Sequence, residues 1–235
     1  MRFFLPLLAL VACNPDPTDQ IDQGVGYRTP QEGAGTSGER GNVAISEILW
    51  SGSVRSDGTW DPTDIFIEIR NQGSLPVNLS GWRIDLEGVY ETGWRIPDSD
   101  LVLETGEHRF IAAKDTGCFP NPDWIIPDLF APLNDPMRYT LKDADERLIE
   151  PAGSKTQPPF AGGYDLVRSR SMERIELMFG GRGSEPQSWH YYNEQVEDIP
   201  NNVEMLEDCR ERTLASPGRA NSKDYSGALS AGGFE

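Results

Sequence analysis

The chain has 235 residues, 21 of them basic and 38 acidic, for a formal net charge of −17. That balance disfavours nucleic acid, whose binding rests on lysines and arginines displacing counterions from phosphates. With 24 glycines and 18 prolines beside 37% hydrophobic residues, the chain is too rich in turn formers for a helical bundle but has the apolar mass for one core.

An apolar run from Phe3 to Ala12 follows a single positive charge at Arg2. It is too short to cross a hydrocarbon layer of about 30 Å, which takes about 20 helical residues, and residues 1–12 have the form of a secretory signal peptide. The run ends in Leu10-Val11-Ala12-Cys13, which resembles the bacterial lipobox. That resemblance implies cleavage after residue 12 and lipidation of Cys13, so that the membrane is a partner through the lipid. Acyl chains contribute about 0.8 kcal/mol per buried CH₂, and two of them anchor a protein stably without a spanning helix. Asn14 is not an obvious inner-membrane retention signal, which points to the outer membrane of a bacterial cell envelope. Residues 13–41 hold the lipidated cysteine and a linker with almost no apolar side chain. Such a segment is expected to be disordered, because it cannot bury enough surface to offset the entropy of ordering. As a flexible coil of about 28 residues it spans roughly 30 Å on average and about 90 Å at full stretch.

From Asn42 onward, short β-like runs alternate with turn clusters. "VAISEILW" (43–50) is apolar at Val43 and Ile45, then at Ile48 and Trp50, so its period of two slips at Ser46-Glu47, the mark of a β-bulge. "DIFIEIRN" (64–71) sets Ile65, Ile67 and Ile69 on one face and Phe66, Glu68 and Arg70 on the other, the pattern of a half-buried strand. Trp82, Ile84 and Leu86 alternate likewise in "LSGWRIDLEG" (79–88), and Trp82 is expected to plug the core between two sheets. Further strands are expected in 106–113, 137–150 and 171–179, with 137–150 turning as a hairpin at Asp143-Ala144-Asp145. Asn71, Gly73 and Asn78 are assigned to turns, with positive φ at the glycine, and Pro217-Gly218 to the end of the last strand. No stretch sustains a 3.6-residue stripe, so the fold class is all-β, an antiparallel sandwich or barrel.

In order, "VAISEILWSGS", "DIFIEIRNQGSLPVNLSGWRI", "LVLETGEHRFIAA", "YTLKDADERLIE", "RSMERIE", "SWHYYNE" and "TLASPGRAN" resemble successive signatures of the lamin-tail domain family. The resemblance covers about residues 42–221 and implies an immunoglobulin-like antiparallel β-sandwich, with 222–235 left as a polar tail. Residues 115–137 and 197–209 depart from the pattern as loop insertions, and "SMER" (171–174) stands where the pattern has "SLER". Scaffold loops carry recognition, so the insertions are where a private function would sit.

With Cys13 lipidated, only Cys118 and Cys209 remain, and in an exported protein they are expected to pair rather than stay free thiols. A ring of about 92 residues stabilises by roughly 4 to 5 kcal/mol in the loop-entropy model. His108 and His190 lie in no zinc-binding motif, and no metal site or cofactor is expected. The acid pairs Asp98/Asp100 and Asp143/Asp145 sit in turn-like contexts where aspartate is usual. Asp57, Asp61 and Asp64 share one loop that could offer oxygens to calcium, without EF-hand spacing. Arg168, Arg170 and Arg174 form the one basic cluster, read as solvated arginines beside a strand. The chain is therefore expected not to be an enzyme but a lipid-anchored, non-catalytic binding or structural module for an envelope protein or polysaccharide. The alternative is a carbohydrate-binding or weakly hydrolytic protein that uses Trp124 and Trp189-His190-Tyr191-Tyr192. Exposed aromatics in a row would favour a sugar platform, and alternating burial would return them to the core.

Overall fold

The computed structural model describes residues 41–175, 182–193 and 204–223. The expected signal peptide, Cys13, the expected linker through residue 40, residues 176–179 of the expected strand at 171–179, residues 197–203 of the second expected insertion and the expected tail beyond 223 lie outside the described residues.

Two sheets enclose the main core. One has six strands in the order β10 (Trp124–Ile125), β9 (His108–Ala112), β4 (Phe66–Asn71), β1 (Val43–Leu49), β15 (Met172–Arg174) and β16 (Trp189–Tyr191). The other has four, β12 (Leu148–Gly153), β11 (Met137–Lys142), β6 (Arg83–Gly88) and β7 (Thr92–Arg95). All neighbours in them are antiparallel except β9 and β10. A small sheet of β13 (Gly163–Tyr164), β14 (Ser169–Arg170) and β17 (Thr213–Leu214) joins them, with two ribbons, β2 (Ser53–Val54) with β3 (Trp60–Asp61) and β5 (Val77–Asn78) with β8 (Val102–Leu103). Among the described residues there is no α-helix, and the fold is all-β as expected.

Period-two patterning explains the layering. Ile45, Ile67, Ile69 and Ile111 of the large sheet meet Ile84, Leu86, Tyr139 and Leu141 of the smaller one in one apolar cluster. Trp82 plugs it at 1% exposure. The expected bulge is present, since the β1–β4 register shifts between Ile45 and Glu47. The hairpin of β11 and β12 turns where expected, with the Asp143 carboxylate accepting the Asp145 and Arg147 amides. Asn71 Oδ1 accepts the Gly73 amide and Asn78 Oδ1 accepts the Ser80 amide, both within turns.

Three local expectations are corrected. The "DIFIEIRN" strand is not half-buried, because Phe66 and Glu68 on its second face are as buried as the isoleucines on the first. A second apolar cluster, with Leu49, Phe66, Phe110, Phe119, Leu214 and the two cysteines, covers that face. Gly73 does not take a positive φ; it is small because a β-carbon there would come within 3.0 Å of the Asn42 side chain. The last strand ends at Leu214, ahead of Pro217-Gly218.

Candidate functional site

Cys118 and Cys209 form a disulfide, as expected, and both are fully buried. The bond joins the first insertion to the segment before β17, where the Leu206 amide also donates to the Cys118 carbonyl at 2.9 Å. It thereby fixes the start of a strap, residues 213–222, that runs over the second face of the large sheet.

Under that strap lies a row of carboxyl groups. Glu47 on β1 pairs in register with Glu68 on β4 and with Glu173 on β15, and Glu173 pairs with His190 on β16. All three glutamates are at 0% exposure. Strap groups hydrogen-bond each of them: the Ser216 amide to Glu47 Oε1 at 2.8 Å, the Gly218 amide to Glu68 Oε2 at 2.8 Å and the Ser222 amide to Glu173 at 3.1 Å. Glu68 Oε1 also takes the Ser46 hydroxyl and the His108 ring nitrogen, each at 2.7 Å. Asn221 ties the far end of the strap to the Ser46 and Arg174 carbonyls. Burial pushes all three carboxyls above the ordinary range; at Glu47 repulsion from Glu173 and Glu68 adds to it, and at Glu173 the Ser216 and Ser222 bonds oppose it.

Ser216 imposes a further condition. Its Oγ lies 2.9 Å from Glu47 Oε2 and 2.6 Å from Glu173 Oε1. A hydroxyl carries one hydrogen and donates to one acceptor, so both contacts are favourable only when one of the two carboxyls is protonated and donates to the serine.

The acidic loop does not converge on a cation. Asp57 caps the Thr59 amide, Asp61 pairs with Lys114 at 2.6 Å and with Thr63, and Asp64 accepts the Ser53 hydroxyl and the Cys118 amide. Among the described residues no three His, Cys, Asp or Glu side chains are grouped to hold a metal. Of the acid pairs, Asp98 accepts the Ser80 hydroxyl and Asp143 serves its hairpin turn. Two of the three clustered arginines are engaged rather than simply solvated: Arg174 pairs with Glu150 at 2.8 Å over the Trp189 ring, and Arg170 donates to the Tyr192 carbonyl at 2.9 Å.

The aromatic insertions belong mostly to the core, with neither a row of exposed rings nor a strict alternation. Trp124, Trp189 and Tyr192 are buried, and His190 is buried beside Glu173, whereas Tyr191 is 56% exposed. Tyr191 borders an open cleft of about 480 Å³ with Trp50, Tyr164, Asp165, Arg170 and Asn134. Gly162 and Gly163 also line it at φ of 75° and 125°; a β-carbon at Gly162 would collide with the Arg170 backbone, and one at Gly163 would reach 3.3 Å from the Trp50 ring. Tyr164 stacks on Trp60 at 4.7 Å, and the Arg170 guanidinium lies 5.8 Å over the Tyr191 ring. Sequence reasoning singled out Tyr191 and Arg170 for other reasons and missed Trp60, Asn134 and Tyr164, which come from separate segments. The Gly162-Gly163 pair was the one local signal of an open floor.

Compared with known proteins, the chain matches no family model and no curated protein.

Proposed function

We propose that this is a non-catalytic bacterial envelope lipoprotein, held by lipidated Cys13: an immunoglobulin-like, lamin-tail-like sandwich that binds its ligand at the Tyr191 cleft. The cleft carries the reading, because it joins exposed aromatic surface to polar groups on a rigid sheet edge, the usual make-up of a recognition site. The family resemblance draws support from the convergence of four signatures quoted for it: Glu47, Glu68 and Glu173 belong to three of them, and Ser216 with Gly218 to the closing "SPGRAN". These acidic groups are engaged under the strap, which supports a structural role for them rather than acid–base chemistry. In this reading the lipid on Cys13 tethers the module to the envelope, Asn14 after it favours the outer membrane, and the ligand is a protein or polysaccharide.

Two measurements in cells test the reading. Labelled palmitate should enter the wild type and not the Cys13→Ala variant. A photo-crosslinking phenylalanine analogue at Tyr191 should give an envelope adduct that the same analogue at exposed Tyr90 does not. Label in both chains would defeat the anchor, and no adduct specific to position 191 would defeat the cleft.

A further inference from the structure

The chemistry of the cleft selects among ligands. Tyr191 offers a ring on edge strand β16, and the guanidinium of Arg170 steadies it from one side while bonding to the Tyr192 carbonyl. Across the cleft Tyr164 is fixed by its stack on Trp60, whose indole nitrogen donates to the Ser51 carbonyl at 2.9 Å. The walls are therefore flat and pre-set, which lowers the entropy cost of binding. Three residues with planar polar side chains line the same space: Arg170, Asn134 and Asp165. Asp165 Oδ1 is held by the Val167 and Arg168 amides at 2.9 and 2.7 Å, so the carboxylate is oriented before any ligand arrives. The volume falls within the range of about 300 to 1,000 Å³ typical of small-ligand sites.

A pyranose ring meets both demands, since its C–H face lies flat on an aromatic ring and its adjacent hydroxyls pair with planar forks of the Asn, Asp and Arg kind. A polyanion is opposed by the net charge of −17 and by Asp165 in the wall. A proline-rich peptide would use the rings and offer carbonyls to Asn134 and Arg170, but it is poor in N–H donors for the Asp165 carboxylate, and covering that group without a partner costs free energy. We infer that the cleft binds a neutral oligosaccharide, with a sugar ring on Tyr191 and hydroxyls toward Asn134, Asp165 and Arg170; this rests on the cleft being the recognition face.

The test titrates the detergent-solubilised full chain with neutral tetrasaccharides of glucose, N-acetylglucosamine, mannose and xylose, and in parallel with a proline-rich decapeptide, following tryptophan fluorescence and saturation-transfer NMR. At least one tetrasaccharide should bind saturably. Tyr191→Ala should weaken it by about tenfold, the size of a typical anchor residue, while Tyr90→Ala, on the β6–β7 turn, should leave it unchanged. Equal melting temperatures of the variants would exclude misfolding as the cause. Failure of all four sugars, or sugar binding indifferent to Tyr191→Ala, overturns the inference. Peptide binding lost in Tyr191→Ala with no sugar bound overturns the sugar and leaves the binding module standing. Silence from every probe, together with no adduct at position 191 in cells, overturns both.

Discussion

At the residue scale, the burial of three carboxyls under the strap sets a pH dependence on the fold. Glu47, Glu68 and Glu173 have folded pKa values raised above the ordinary value of about 4.5. Between that value and the folded ones the native state holds more protons than the unfolded chain, so stability falls as pH rises through this window. Glu87 acts in the opposite sense: burial pulls it up, but hydrogen bonds from Lys155, Arg138 and Thr140 hold it at about 2. Its contribution is present above about 4.5 and lost as pH falls toward 2. Denaturant midpoints should accordingly be higher at pH 5.5 than at pH 8, and Glu47→Gln, neutral at every pH, should flatten that difference. A midpoint that rises between pH 5.5 and 8 would contradict the protonated bridge. Ser216→Ala should cost about 1 to 3 kcal/mol, the range for a buried polar group left without a partner.

At the element scale, strands with one clean apolar face were legible because side chains alternate with a period of two. β4, β6 and β11 follow that pattern, and the β1 bulge showed as a slip in it. Trp82 was legible as core for the same reason, and Trp82→Ala should cost about 3 to 5 kcal/mol in an unfolding titration; a loss below about 1 kcal/mol would place that ring outside the core. What alternation could not show is that the large sheet is covered twice. Glu68 reads as a solvent-facing residue until the strap from residues 213–222 covers it, and the cover comes from a segment about 150 positions away.

At the scale of the whole molecule, the disulfide is the clasp that holds this cover. Cys118 and Cys209 sit in the second apolar cluster beside Phe66, Phe119 and Leu214. Replacing both cysteines by serine should lower stability by about 2 to 5 kcal/mol, with faster amide exchange over residues 213–222 than over β6 and β11. Uniform exchange across the chain would mean that the bond does not serve the strap in particular. The sequence by itself determined the all-β class, the apolar strand faces of the main core, the bulge and the Trp82 plug, because each depends on local periodicity; it pointed to the cysteine pairing by counting, once Cys13 is assigned to the lipid. Only the tertiary structure decided that three glutamates line up under one strap, two of them sharing the Ser216 hydroxyl, and that Tyr191, Tyr164, Arg170 and Asn134 border one cleft. Those arrangements depend on strand order and on contacts between segments far apart in the chain, where no local pattern carries the information.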